Sequence, residues 1–329
     1  MKPTMKKLVL HSFYVLALGM MLPAGSALAQ SFPSKPIRLV VPFAPGGNVD
    51  ITARTIAGPL GEALGQPVII DNRAGASGSI GTDNIAKSPA DGYSLLLAST
   101  SVMTNVPAIN PKLPYDMLRD LTGVGRVSIV PLVIVVNPAT PAKTLREFID
   151  LSNTKTGGLT IGTPGSGTTN HLIGELLHST TRAKFVMVHY KGSGPALTDA
   201  MAGVIDAQID QVTSAISFIR AGKVRAIAVT TATRAAMLPD VPTLAESGAP
   251  GFDASTVTAI LAPAATPRAV ITQLNLALSK ILSTAPVRDR FATLGADASP
   301  STPEQLNAHI REDLARWKKV VQESNIKPE

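Results

Sequence analysis

Pro42-Phe43-Ala44-Pro45-Gly46-Gly47-Asn48-Val49-Asp50-Ile51-Thr52-Ala53-Arg54 is the stretch whose reading decides the fold. An apolar segment, Ile37 to Val41, runs into it, and Val49, Ala53, Ile56, Leu60 and Leu64 form one helical stripe running out of it. Pro42 and Pro45 restrict the backbone between these elements, while Gly46 and Gly47 free it from Cβ clashes. Asn48 stands in the N-cap position, which points free backbone N–H groups out of the helix start, an arrangement suited to a small anion. A plain strand-to-helix turn explains these residues equally well when they are taken alone.

Outward from this loop the pattern repeats. Val68 to Ile70 reads as a short strand, and its exit, Asp71 to Gly81, is a second Gly-rich loop feeding a helix that ends near Lys87. Tyr93 to Ala98 is a third strand, closing on Ser99-Thr100-Ser101, and residues 107–122 read as turns. Three strand–loop–helix units predict an α/β layer with a largely parallel sheet, whose ligands sit beyond the carboxyl ends of the strands. Val127 to Val136 predicts one long strand or two short ones carrying the chain into a second domain. There the pattern returns: strand Leu159–Gly162, the loop Thr163 to Asn170, and a helix with Leu172, Ile173, Leu176 and Leu177. Thr144 is the expected N-cap of a helix over Leu145–Leu151, and Pro195 the expected first residue of the helix after Tyr190–Gly194. Thr256 to Ala262 reads as the return crossing. In the last helix Leu306, Ile310, Leu314, Trp317 and Val321 form one face, with Trp317 expected as a buried anchor.

Bulk properties narrow the function. Lys2, Lys6 and Lys7, the apolar run Leu8–Leu22 and the small residues Ala24–Ala29 predict a secretory signal peptide cleaved after Ala29. Its removal takes away three lysines, lowering the formal net charge from +7 to +4 over 300 residues. That mild charge contains no block of five basic residues, so a nucleic-acid partner is not expected. The chain has no cysteine, which excludes disulfides, thiol nucleophiles, thiolate metal sites and a lipoprotein anchor, and predicts a free periplasmic or secreted protein. Of the five histidines, His171, His178, His189 and His309 stay in the mature chain. None stands in an HExxH pattern, and no metal is expected.

Enzyme signatures are missing. The glycines 75, 78 and 81 follow the second strand at GxxGxxG spacing, where a dinucleotide fingerprint needs GxGxxG after the first. There is no P-loop lysine and no GxSxG elbow, so no cofactor and no catalytic pair are expected. What remains is a set of loops with hydroxyls: Ser77, Ser79, Ser99, Thr100, Ser166, Thr168 and Thr169. Neutral donors of this kind suit a reversibly held carboxylate; each residue singly is better explained as a helix cap, and it is their grouping across strand ends that favours a binding site. Asp210 follows the strand Ile205–Ile209 and is expected at a strand exit facing the cleft, in a binding or a structural role. Asp50 complements a helix dipole in its simplest reading, Arg54 and Arg73 serve the surface, and Met103 and Asn105 are candidates for shaping the pocket.

The loops together resemble a known family. Pro42–Gly47 with Asp50 and Arg54, Asn72–Gly78 with Ile80-Gly81, Asp91-Gly92-Tyr93, Leu113–Asp116, Gly162–His171, Tyr190–Ala196, Gly222–Ala226, Pro239–Thr243 and Arg316-Trp317 are similar, in that order, to the Bug (TctC-like) family. Its members are extracytoplasmic solute-binding receptors of tripartite tricarboxylate transporters. The resemblance implies an α/β, two-lobed periplasmic binding protein fold of type II, with two mostly parallel-sheet domains joined by a two-crossing hinge around a ligand cleft. Residues 1–29 would be the signal peptide, 30–130 with 255–329 lobe 1, and 131–254 lobe 2. It implies a monomer that captures a small organic carboxylate, aliphatic dicarboxylate or aromatic, and delivers it to one large and one small integral membrane subunit. Carried onto this chain, the ligand residues are Phe43, Ala44, Gly47 and Asn48, then Ala76, Ser77, Gly78 and Ser79. The second lobe would add Thr163, Gly165, Ser166, Gly167, Thr168 and Thr169, with Asp210. Ser99 and Thr100 join them on the hydroxyl pattern. The chain departs from the family pattern at Thr256-Val257-Thr258, where an aromatic is common, and at Asn48-Val49. A periplasmic carboxylate sensor and a secreted enzyme are the rival functions, the second lacking any catalytic pair.

Overall fold

The computed structural model describes residues 32–323; the expected signal peptide lies outside them. β1 (Ile37–Val41) is apolar at every position but Arg38 and buried almost throughout, as a strand covered by helices must be. It pairs in parallel with β2 (Val68–Asn72) and β3 (Ser94–Ser99). α1 (Asn48–Leu64) follows β1 and buries Val49, Ala53, Ile56 and Leu60, then stops at Gly65, which takes the left-handed conformation at φ 71°. α2 (Ser79–Ala86) follows β2.

After β3 the chain is helical where the sequence suggested turns. A π-helical turn over Ser101–Asn105 runs into α3 (Val106–Ile109), and α4 (Met117–Asp120) is capped by the Asp116 carboxylate, which accepts from the backbone N–H groups of Leu118 and Arg119. β4 (Leu121–Val136) is a single strand of 16 residues, starting six residues before the predicted one.

β4 is the member that joins the strands. Its first part, Leu121 to Pro131, pairs antiparallel with β9 (Ser255–Pro263), and β10 (Asp297–Ala298) also pairs with it. From Leu132 to Val136 it lies between β7 (Ala207–Gln211) and β8 (Arg225–Val229), antiparallel to both. Pro131 stands where the partners change, opposite Ser255; having no N–H, it cannot continue the ladder there. The strand order is β2-β1-β3-β9-β4-β7-β5-β6, where β5 (Leu159–Thr163) and β6 (Phe185–His189) are parallel neighbours. The expected mostly parallel sheets are therefore corrected: parallel pairs hold the two flanks, and every pairing of β4 and β9 is antiparallel.

Around β5 and β6 stand α5 (Leu145–Thr154), α6 (Thr169–Thr181), α7 (Ser193–Ala202) and α8 (Val212–Arg220). Phe148 of α5 belongs to a core cluster drawn mainly from β4, β5, β7, β8, α5 and α6. It is fully buried among Leu132, Ile134, Leu145 and Ile161 and stacks on Phe185 at 5.6 Å, a burial worth roughly 2–3 kcal/mol. Thr144 caps α5 as expected, its hydroxyl accepting from the Glu147 N–H. α9 (Arg268–Leu282), α10 (Ala285–Thr293) and α11 (Pro303–Glu323) complete the described chain, α10 without a counterpart in the sequence reading. Leu306, Ile310 and Leu314 are buried as predicted. Trp317 departs from its expected place: it is half-exposed and lines an open groove.

Candidate functional site

The first loop is shaped by Asp50. The residue is 2% exposed, and its side chain accepts from the Gly46 N–H at 3.0 Å, Asn72 Nδ2 at 3.0 Å and two nitrogens of Arg54 at 2.9 and 3.1 Å. Asn72 also donates to the Phe43 carbonyl at 3.2 Å, so the end of β2 is tied to the turn after β1. Burial acts to raise the Asp50 carboxyl, but the bonds from Arg54, Gly46 and Asn72 outweigh it and hold it below the usual carboxylate value. Asp50 is thus more than a dipole complement, and Arg54 more than a surface charge. Arg73 pairs with Asp71 at 2.7 Å. The cap of α1 is corrected as well: Gly47 is the N-cap, with extended backbone, and Asn48 is the first helical residue.

The second loop carries a run of left-handed residues: Gly75, Ala76, Ser77 and Gly78, with Ala76 at φ 46° and Ser77 at φ 53°. Left-handed backbone at a residue with a Cβ costs on the order of 1 kcal/mol, strain that tight functional loops often hold.

These loops meet two loops from the other side of the strand array. The Ala44 N–H donates to the Lys191 carbonyl at 3.0 Å, and a Cβ on Gly194 would lie 2.3 Å from the Pro45 carbonyl oxygen. A Cβ on Gly47 would lie 3.3 Å from that of Ser193. Ser77 faces Gly165 in the same way, its Oγ 2.7 Å from where a Cβ would stand. The loop after β5 is held from behind. His171 Nδ1 accepts from the Gly167 N–H at 2.9 Å, Thr168 Oγ1 donates to the Gly165 carbonyl at 2.7 Å, and Thr163 Oγ1 bonds His189 Nδ1 at 2.7 Å. The two imidazoles meet edge to face at 4.7 Å. Glu175, 3.6 Å from His171 Nε2, has its carboxyl lowered chiefly by His171.

Between the first loop and the segments that follow β3, β5, β6 and β7 lies a cavity of ≈ 20 Å³ walled by Phe43, Gly47, Asn48, Val49, Ser99, Ser101, Pro164, Asn170, Ser193 and Gln211. Helix starts supply most of this wall: Asn48 and Val49 open α1, Asn170 stands in the first turn of α6, Ser193 opens α7, and Gln211 is the N-cap of α8. Ser101 opens the π-helical turn. The partial positive charge of several helix starts therefore borders one small volume, and none of its walls is a charged side chain. Two larger grooves adjoin the same loops. One of ≈ 410 Å³ touches Ala76, Ser77, Ser79, Ser166 and Gly167; another of ≈ 700 Å³ touches Thr100 and Thr169 and is bordered by Trp317. Among the described residues no cluster of His, Asp and Glu has a metal-binding arrangement.

Comparison with known proteins places this arrangement. Residues 52–326 match the model of the tripartite tricarboxylate transporter family receptor. The chain belongs to that family. It is 40% identical over 305 residues to the protein BugT of Bordetella pertussis, covering 92% of this chain and 94% of the relative. Among solved structures, Rpa4515 of R. palustris with adipate superposes with a TM-score of 0.87 at 33% identity, covering 91% of this chain and all of that one. MatC of Rhodopseudomonas palustris with bound malate gives 0.83 at 33% identity, covering 88% of this chain and all of that one. The family is one of binding receptors rather than enzymes.

Of the residues expected to bind ligand in this receptor, Phe43, Gly47, Asn48 and Ser99 line the small cavity together. Ala44, Gly78 and Gly165 shape the approach of the loops through backbone, and Thr163 and Thr168 are buried in holding theirs in place. Asp210 is the correction. It lies inside β7 rather than at a strand exit, is fully buried and is not part of the cavity wall. Its Oδ1 accepts from the Gln211 N–H, and burial pushes the carboxyl up to about 6, partly opposed by the Ser214 and Ser193 hydroxyls. Met103 is fully buried and off the wall, and Asn105 reaches Thr169 Oγ1 at 3.3 Å. In the return strand Thr258 bonds Ser128 at 2.7 Å and Thr256 accepts from Gln211. Residues not singled out as binding are Val49, Ser101, Pro164, Asn170, Ser193 and Gln211. Asn170 and Ser193 had a signal in the sequence, each standing in a loop that opens a helix.

Proposed function

We propose that this protein is a periplasmic receptor that captures a small organic carboxylate between two lobes and presents it to the membrane subunits of a tripartite tricarboxylate-type transporter. The observation that carries the carboxylate is the convergence of several helix starts on a wall without a charged side chain. Each bond to an ionised acceptor contributes roughly 1.5–3 kcal/mol, so three or four reach the −8 kcal/mol of micromolar binding. The adipate and malate bound by Rpa4515 and MatC support the same ligand class.

The lobes are read as 30–130 with 255–329 and 131–254, joined where β4 changes partners at Pro131 and where the chain re-enters at Ser255 opposite it. A cavity of ≈ 20 Å³ holds about one water, so the 43–47 and 191–194 loops part to admit an acid and come together again over it once the wall side chains have drawn back to make room. The partners are then one large and one small integral membrane subunit, with the receptor acting as a monomer.

A thermal-shift screen of the purified protein against mono-, di- and tricarboxylates, sugars and amino acids tests this. Binding to the folded state alone raises the midpoint as ligand concentration increases. The expected result is a saturable rise with one subset of carboxylates. A response to sugars or cationic amino acids, with none to any acid, sinks the reading.

A further inference from the structure

One polar side chain of the cavity wall is unmatched. Asn48 is 3% exposed, and neither its Oδ1 nor its Nδ2 has a hydrogen-bond partner among the described residues. Asn170, Gln211 and Ser101 on the same wall are committed. Asn170 Nδ2 donates to the Ile209 carbonyl at 2.7 Å and its Oδ1 accepts from Gln211 Nε2 at 3.1 Å, which also reaches Thr256 Oγ1. Ser101 Oγ accepts from the Thr169 N–H at 3.1 Å. A hydroxyl can rotate to become donor or acceptor, whereas an amide keeps one atom of each kind at fixed positions. An amide buried with both atoms unpaired destabilises the fold by itself, and its retention points to something that completes it.

We propose that Asn48 is a specificity-determining residue that reads a neutral donor beside the carboxylate, so that the preferred ligand is a 2-hydroxy acid. The carboxylate half of this rests on the receptor reading above; the hydroxyl is what Asn48 adds. Nδ2 donates to a carboxylate oxygen and Oδ1 accepts from the hydroxyl on the adjacent carbon. A 2-ammonium group presents the same donor geometry, but it would enter a wall that carries no carboxylate to balance its charge. A plain dicarboxylate leaves Oδ1 buried and unpaired.

Isothermal titration calorimetry with matched probes tests this: 2-hydroxybutanedioate, 2-aminobutanedioate and butanedioate against the wild type and Asn48→Ala. The wild type is expected to bind the hydroxy acid roughly tenfold more tightly than butanedioate, the effect of one buried bond made or left unmade. In Asn48→Ala that ratio falls to about one, and butanedioate, which loses only the bond from Nδ2, binds several-fold more weakly than to the wild type. The thermal midpoint of ligand-free Asn48→Ala is expected to match or exceed that of the wild type, because an unpaired buried amide has been removed. A structural role for Asn48 would lower it. Equal affinity of the wild type for the hydroxy acid and butanedioate overturns the proposal without any variant, and so does tighter binding of the amino acid. A preference that survives in Asn48→Ala also overturns it. Should Asn48→Ala fail to fold, the same ratio is read in Asn48→Ser. Absence of binding by every carboxylate sinks the receptor reading itself, and equal binding sinks only this inference.

Discussion

Gly194→Ala isolates the contact between the loops. Gly194 is the second residue of α7 and lies outside the left-handed region, so alanine fits its backbone and favours the helix by up to about 1 kcal/mol. The added methyl would stand 2.3 Å from the Pro45 carbonyl oxygen and 3.4 Å from its carbon. Carbon–oxygen contacts relax only beyond about 3.3 Å, so the two loops must separate by roughly 1 Å. Backbone lies on the Pro45 side of the contact and cannot rotate out of the way. Overpacking of this kind costs about 1–3 kcal/mol, and here the cost falls on the apposed state. The dissociation constant for the acid giving the largest thermal shift is therefore expected to rise between about fivefold and 150-fold. The ligand-free midpoint is expected to hold or rise. Gly58→Ala in α1 is the control, because nothing lies within 4 Å of its Cβ: stability rises and affinity stays at the wild-type value. A wild-type dissociation constant in Gly194→Ala refutes the reasoning, because the ligand-bound state would then not bring Pro45 and Gly194 together.

Two further substitutions separate loop architecture from ligand contact. Asp50→Ala removes the acceptor shared by Gly46, Asn72 and Arg54, and is expected to lower unfolding free energy by about 2 kcal/mol in urea titrations, with Arg54 more than half exposed and counted lightly. Because the Asp50 carboxyl is held low in the folded state, its contribution is present above its ordinary value of 3.8 and is lost as pH falls below it, so the deficit of Asp50→Ala narrows in acid. Asp210 has the opposite sign. With its carboxyl raised from 3.8 to about 6, the folded protein keeps a proton that the unfolded chain releases, and stability falls as pH rises through this window, by on the order of 3 kcal/mol, then levels. Asp210→Asn is expected to remove that slope and unfold later than the wild type at pH 7; parallel stability profiles for the two proteins would show that burial leaves this carboxyl unshifted.

Local chemistry was legible in the sequence, and partner choice across long separations was not. β1, the first loop and α1 could be placed because an apolar run, two prolines, two glycines and a helical stripe follow one another within 28 residues. Residues 107–122 read as turns because their prolines signal breaks, whereas Pro107 sits in the first turn of α3, where a missing N–H does no harm. Asp210 was misplaced because β7 runs two residues beyond the apolar segment: Gln211 pairs with Leu132, and the ladder carries Asp210 inside. The meeting of residues 44 and 191, or 77 and 165, depends on how β4 hands its ladder from β9 to β7, and no local pattern encodes that. Asn48 was legible as an oddity of its loop, but its two unpaired atoms belong to the assembled wall.

The absence of charge from that wall has a consequence for delivery. A cation buried against the ligand would have to be desolvated on closure and would leave an uncompensated charge once the ligand departed, a penalty of several kcal/mol. Helix starts avoid this cycle, because their N–H groups are fixed by the fold and carry only partial charge. The charges of the first two loops are already paired with one another: Asp50 binds Arg54, and Asp71 binds Arg73 and Arg38. Arg54 is thereby committed to shaping the loop rather than to gripping an anion. Affinity then rests on several bonds of moderate strength made together as the loops approach, and separation of the loops breaks them together. Such a site can bind tightly when closed and release quickly when a partner pulls it open, which a single strong ion pair cannot do.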